Sequence, residues 1–137
     1  MEAPPLLSSR SPGMQLVLGD VVPCAYGALC GVVLGASKPG YLLLSLLAAV
    51  GGFLAGFEHR GAGEGAARGI VGGLLFGTFI LLAHRITGAH PKASLPDPEV
   101  VLVFFTTLFG AGLGAAGGAL RARRSRGPAP NIPPSGA

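Results

Sequence analysis

The densest run of ionisable side chains in this sequence is Glu58-His59-Arg60, followed at helical spacing by Glu64 and Arg68. Carboxylates, an imidazole and guanidinium groups in one stretch could exchange protons or gate a charged solute. His59 is the member able to change charge near neutral pH. The same residues also serve as a solvated turn whose charges cap two helices, and this plainer reading is favoured. Glu64 and Arg68 are four apart and can pair on one helix face. Asp20 is the second candidate: a carboxylate within a membrane is a functional hypothesis for a proton or a cation. Pro23 follows it at first-turn spacing, so Asp20 is read first as the N-cap of a helix.

The remaining chemistry-bearing residues form weaker patterns. His84 and His90 flank Arg85 and, with Asp97 or Glu99, could in principle hold zinc or copper, but no metal-ligand spacing is distinctive. Cys24 and Cys30 are six apart and fall on different helix faces, so they read as small packing residues and not as a disulfide or a redox pair. Thr106 and Thr107 fall in the middle of an apolar run, where a hydroxyl bonds to a carbonyl of its own helix or across an interface. No GxSxG, HExxH, P-loop or CxxC motif occurs. The GAGLGAAGG stretch at 110 to 118 has a dinucleotide-loop look, but it lacks the strand before it. The sequence therefore predicts no catalytic residue, no cofactor and no metal, and the chain is not read as an enzyme.

What must position these residues is apolar. Half of the 137 residues are hydrophobic, only 12% are charged, and Trp is absent. The mean hydropathy is +0.60. Soluble domains carry about a quarter charged residues, and the shortfall here leaves too little polar surface to coat a water-soluble globule. Four apolar segments of roughly 16 to 23 residues stand against the about 20 needed to cross a bilayer. Each carries small residues four apart: Gly27, Gly31 and Gly35; Ala48, Gly52 and Gly56; Gly65, Gly69, Gly73 and Gly77; Gly110, Gly114 and Gly118. Residues four apart share a helix face, and a face without side chains lets a second helix backbone approach in lipid. The expected fold is an all-α, integral membrane four-helix bundle of two antiparallel hairpins, packed through these small-xxx-small stripes, with the glycines facing inward together and little room for a pore.

The expected organisation is a disordered or interfacial segment over 1–13, a transmembrane domain over 14–121 and a basic, then Pro-rich, disordered tail over 122–137. Within the domain, helices are expected at about 20–37, 41–57, 64–87 and 98–121. Asp20, the Ser37–Gly40 turn and Asp97-Pro98-Glu99 mark helix starts and stops. A cleaved signal peptide is disfavoured, because Asp20 and Pro23 interrupt its apolar region. At an offset of 42, Gly19, Ala25, Gly27, Gly31 and Gly35 fall on Gly61, Ala67, Gly69, Gly73 and Gly77, as a duplicated hairpin or convergent packing would produce.

The basic residues Arg10, Arg60, Arg68, Arg121, Arg123, Arg124 and Arg126 fall on the side of both termini, against Lys38, Arg85 and Lys92 on the other. This predicts a multi-pass protein of the cell (inner) membrane with both termini cytoplasmic. The arginine cluster at 121–126 reads as a stop-transfer flank touching anionic lipid, not as a nucleic-acid site. GGFLAGF at 51–57, the short Gly/Glu/Arg turn and GIVGGLLFG at 69–77 make the chain similar to small glycine-zipper, four-helix bacterial and archaeal membrane proteins of unknown function. That resemblance implies a membrane bundle and carries no activity. The Ala/Gly/Pro/Arg bias points to a GC-rich, bacterial genome. The expected role is structural or accessory, through helix packing, as a homo-oligomer or with a membrane-protein partner in the lipid bilayer. The alternative is a small transporter or channel using Asp20 or the Glu58, His59, Glu64 and Arg68 cluster.

Overall fold

The computed structural model of the chain describes residues 5–127, so residues 1–4 of the expected N-terminal segment and 128–137 of the expected tail lie outside the described residues. Four helices follow one another: α1 (Pro12–Ala36), α2 (Lys38–Phe57), α3 (Ala62–Thr87) and α4 (Val101–Ser125). Each is long and apolar enough to cross a membrane, and they pack as two antiparallel hairpins, α1–α2 and α3–α4. By length and composition this is a multi-pass membrane protein. Its large apolar side chains point outward: Leu46 is 63% and Phe104 66% exposed, whereas the largest fully buried side chains are Leu34, Ile80 and Cys30. Water would not tolerate such a surface; a hydrocarbon layer does.

Backbone, not side-chain volume, fills the seam between α3 and α4. A Cβ built on Gly69 would fall on the Gly110 carbonyl oxygen, one on Gly73 on that of Thr106, and one on Gly65 on that of Gly114. The reciprocal holds for Gly110 on Gly69 and Gly114 on Gly65, while a Cβ on Gly118 would fall on the Gly61 carbonyl just before α3, with open space around Gly61 itself. Gly77 rests on the Thr106 hydroxyl, which donates to the Val103 carbonyl of its own helix (3.0 Å). On the other flank of α3, Gly27 and Gly31 of α1 lie against the Phe76 and Ile80 carbonyls. Gly35 passes the end of α3 and meets the Ala89 Cβ at 2.6 Å from its own built Cβ. Thus α3 is the central helix, with α1 and α4 drawn close to it.

α2 departs from the expected common inward stripe. Gly56 meets Gly114, and Gly117 of α4 meets the Phe53 carbonyl, so α2 is tight on α4 near its end. Higher up, Gly52 has only ordinary contact with Leu113, at 3.8 Å, and Gly51 has nothing within 4 Å. The aligned glycines of the 42-residue offset also face different neighbours. Those of α1 face α3, while those of α3 face α4, which a twofold-related pair of hairpins would not do.

Several boundaries differ from expectation. α1 starts at Pro12, eight residues before Asp20, because Ser11 is the cap: its hydroxyl accepts from the Met14 N–H (3.4 Å) and Pro12 takes the first turn. Asp20 is therefore mid-helix and not a cap. Around it, residues Val17–Val21 widen into a π turn, with the Val22 N–H bonded to the Val17 carbonyl. Pro23 supplies the reason: its ring crowds the carbonyl four residues back, and it has no N–H to donate. The link from α1 to α2 is Ser37 alone, not a four-residue turn; its hydroxyl caps α2 at the Gly40 N–H (3.2 Å). α4 begins at Val101, not at 98. A turn precedes it in which the Val101, Leu102 and Val103 N–H groups bond three residues back, and Glu99 is drawn aside to Arg85 (3.2 Å). At its other end α4 runs to Ser125, so residues 122–125 are helical and not the start of a disordered tail. Residues 5–11 include a short 3₁₀ turn, Leu7–Ser9, held where the Leu7 N–H meets the Glu58 carbonyl (3.2 Å).

Candidate functional site

The glycines decide where the bundle closes, and therefore where it does not. Between α2 and the α1–α3–α4 layer runs a cleft of about 790 Å³. Its floor is glycine backbone at Gly69, Gly72, Gly73 and Gly110, and its walls carry Tyr26, Phe76, Phe105 and Phe109. Leu47, Leu54, Phe105 and Phe109 at its rim are each about half or more exposed, so it opens sideways towards lipid. Along α2 it extends from Tyr41 to Glu58, about 25 Å at the rise of an α-helix. Tyr41 and Ser45 line it far from the termini, where the Tyr26 hydroxyl donates to the Leu44 carbonyl (3.0 Å).

The charged groups that line the cleft, Glu58 and Arg68, both sit at the end where the α2–α3 turn lies. Glu58 is answered by Arg10 at 2.8 Å, with both side chains mostly covered. Arg68 crosses from α3 to α1 and donates from Nη2 to the Leu18 carbonyl (2.6 Å). The local chain explains that bond. The Val22 N–H serves Val17, and Pro23 has no N–H, so neither following amide reaches Leu18. A carbonyl without a donor is costly in a membrane, and Arg68 supplies the donor. Its other terminal nitrogen, Nη1, lies over Gly72: a Cβ there would come within 2.9 Å of it.

Asp20, His59, Glu64 and Arg68 line one shallow pocket on the outer side of this arginine. The structure therefore gathers Glu58, His59 and Glu64 of the expected cluster, together with Asp20, around Arg68, across the two faces of one side chain, whereas Arg60 lines neither the cleft nor the pocket. Their pairing differs from expectation. Glu64 turns back to accept from the Arg60 N–H (3.1 Å) and does not pair with Arg68. His59 donates from Nδ1 to the Ala55 carbonyl (2.9 Å), which holds the ring to the end of α2. The Leu18–Arg68 bond was the element missed in the sequence, although Pro23 inside an apolar run was its signal.

Elsewhere the arginines of α4 fasten the same end. Arg121 Nη1 donates to the Phe57 carbonyl (3.1 Å), and the Arg121 and Arg124 guanidinium groups lie 5.8 and 5.4 Å from the Phe57 ring centre. His84 is buried against α1, and no three His, Cys, Asp or Glu side chains among the described residues lie close enough to hold a metal. Compared with known proteins, the chain matches no family model, no curated protein and no solved structure.

Proposed function

We propose that this chain is a structural or accessory protein of a bacterial inner membrane that acts through helix packing and not through catalysis. The observation that carries the reading is the division of its surfaces. The glycine stripes of α1, α3 and α4 are used within the chain, whereas Leu42, Leu46, Val50 and Leu54, four apart on α2, are each more than half exposed. A ridge of large apolar side chains on one helix offers a membrane-protein partner, or a second copy, a surface to pack against. Both ends of the bundle's chain meet the α2–α3 turn, through Leu7 and Arg121, and the arginines gathered there support termini on the cytoplasmic side. Arg123 and Arg126 extend that face towards anionic lipid head groups; nucleic acid is not the proposed partner.

Photo-cross-linking from Leu46 and Val50 in native membranes tests this. The expected product is one discrete protein adduct, whether a partner or a second copy. Adducts to lipid alone would overturn it. The meeting of Asp20, His59, Glu64 and Arg68 in one pocket favours transport as the second reading. Its test is cation or proton flux into proteoliposomes: flux lost in Asp20→Asn would establish transport, and no flux in wild type would remove it.

A further inference from the structure

We propose that the cleft beside α2 seats one phospholipid of the surrounding bilayer, with an acyl chain along the cleft and its phosphate held by Arg68. This needs only that the helices lie in a membrane, and stands whether or not the accessory role does.

The medium selects the apolar part of the occupant. The cleft opens through Leu47, Leu54 and Phe109 into hydrocarbon, where no water competes for its walls. Its run along α2, about 25 Å, exceeds the about 15 Å depth of one leaflet, so a whole acyl chain can lie in it. The charged end selects the head group. Of the charges lining the cleft, Glu58 is matched by Arg10 at 2.8 Å. Among the described residues Arg68 has no carboxylate within 4.0 Å; Asp20 and Glu64 stand on its other side, in the shallow pocket. One bond to Leu18 leaves the remaining guanidinium donors for an anion, with the Asp20 and Glu58 carboxylates near enough to act on its charge but not to pair with it. Gly72 keeps Nη1 at the cleft floor. A planar fork at the end of an apolar trough suits a phosphate carrying a chain.

The chain offers its own reporter. It has two tyrosines and no tryptophan, and both Tyr26 and Tyr41 line the cleft. Brominated acyl chains quench tyrosine emission on contact. The full chain is reconstituted in phosphatidylcholine vesicles containing increasing fractions of brominated phosphatidylcholine or of brominated diacylglycerol with the same chains. The phosphate-bearing lipid is expected to reach half-maximal quenching at about a tenfold lower fraction, the worth of one charge-assisted contact. Arg68→Gln should reduce that preference to within about twofold and Arg68→Lys should keep most of it. Ala48→Phe, on the cleft wall, should weaken quenching by every brominated lipid. Helix content and a single gel-filtration peak establish that each variant folds. If Arg68→Gln does not fold, the wild-type preference together with Ala48→Phe decides. Equal quenching by both lipids in wild type, the behaviour of annular lipid only, overturns the proposal. So does a tenfold preference surviving in folded Arg68→Gln, or quenching unchanged by Ala48→Phe.

Discussion

The α3–α4 seam and the α2 side of the bundle use the same device, small residues four apart, with opposite results. In the seam both helices present glycine in register, Gly69 to Gly110 and Gly65 to Gly114, and carbonyl oxygens occupy the places where side chains would stand. On the α2 side, Gly52 faces the Leu113 side chain, and only Gly56 finds a glycine opposite it. The stripe alone does not close an interface in lipid, where no hydrophobic force pushes helices together. Closure requires that the partner turn backbone to the stripe at the same level, as Gly110 does to Gly69 and Phe76 to Gly27; where a side chain such as Leu113 stands there instead, a cleft remains.

The strongest way to break this comparison is to put the same side chain on both sides. Gly73→Leu or Gly114→Leu should destroy the fold, because the new Cβ coincides with a backbone carbonyl of the neighbouring helix. A loss beyond about 4 kcal/mol is expected, at the extreme of single substitutions. Gly51→Leu, with open space around it, should leave stability within about 1 kcal/mol of wild type, or raise it through better helix propensity. Thermal unfolding and gel filtration in mild detergent read both. Equal responses at Gly73 and Gly51 would show that the two sides do not differ.

A second, smaller effect sharpens the cleft side. Arg68→Ala should cost about 1 to 3 kcal/mol, the penalty for leaving the Leu18 carbonyl without a donor. Adding Pro23→Ala to that variant should restore part of the loss, since residue 23 then has an N–H to offer within α1. In the wild-type background the same proline substitution relieves no such orphan. A double-mutant cycle of unfolding temperatures measures the difference; additive effects would show that Arg68 and Pro23 are not linked through Leu18.

The sequence made the four spans and the seam glycines legible because both depend on local pattern: apolar length, and period-four absence of side chains. Gly69, Gly73, Gly77, Gly110, Gly114 and Gly118 all lie at close approaches. What the pattern could not carry was which stripe faces which. Gly52 has the same spacing as Gly56, yet only the residue opposite each distinguishes them. Asp20 misled for a related reason. An acidic residue three before a proline reads as a helix start, but Ser11-Pro12 offers a capping hydroxyl with a proline at the first helical position earlier, and the chain takes the first. The π turn at Val17–Val21 then lets the helix pass Pro23 without ending. The polar cluster was found by residue type; its centre on Arg68 was not, because the bond to Leu18 joins positions fifty residues apart.

The smallest effects separate the two ends of the bundle. Arg10–Glu58 closes the charged end of the cleft with side-chain exposures of 29% and 21%, whereas Arg85–Glu99 on the opposite end stands at 72% and 42%. Glu58→Gln should lower stability by about 1 kcal/mol, because it leaves Arg10 partly covered without its counter-charge. Arg85→Ala should change it by less than about 0.5 kcal/mol: an exposed pair gains little against solvent screening and the side-chain freedom it gives up. Raising salt from 0.1 to 1 M shortens the screening length from about 10 to about 3 Å. It should therefore erase the Arg85→Ala difference while leaving most of the Glu58→Gln difference in place. Salt-dependent unfolding of both variants checks this. If Glu58→Gln proves as salt-sensitive as Arg85→Ala, the charged mouth of the cleft is an ordinary solvated surface, and the distinction between the two ends fails.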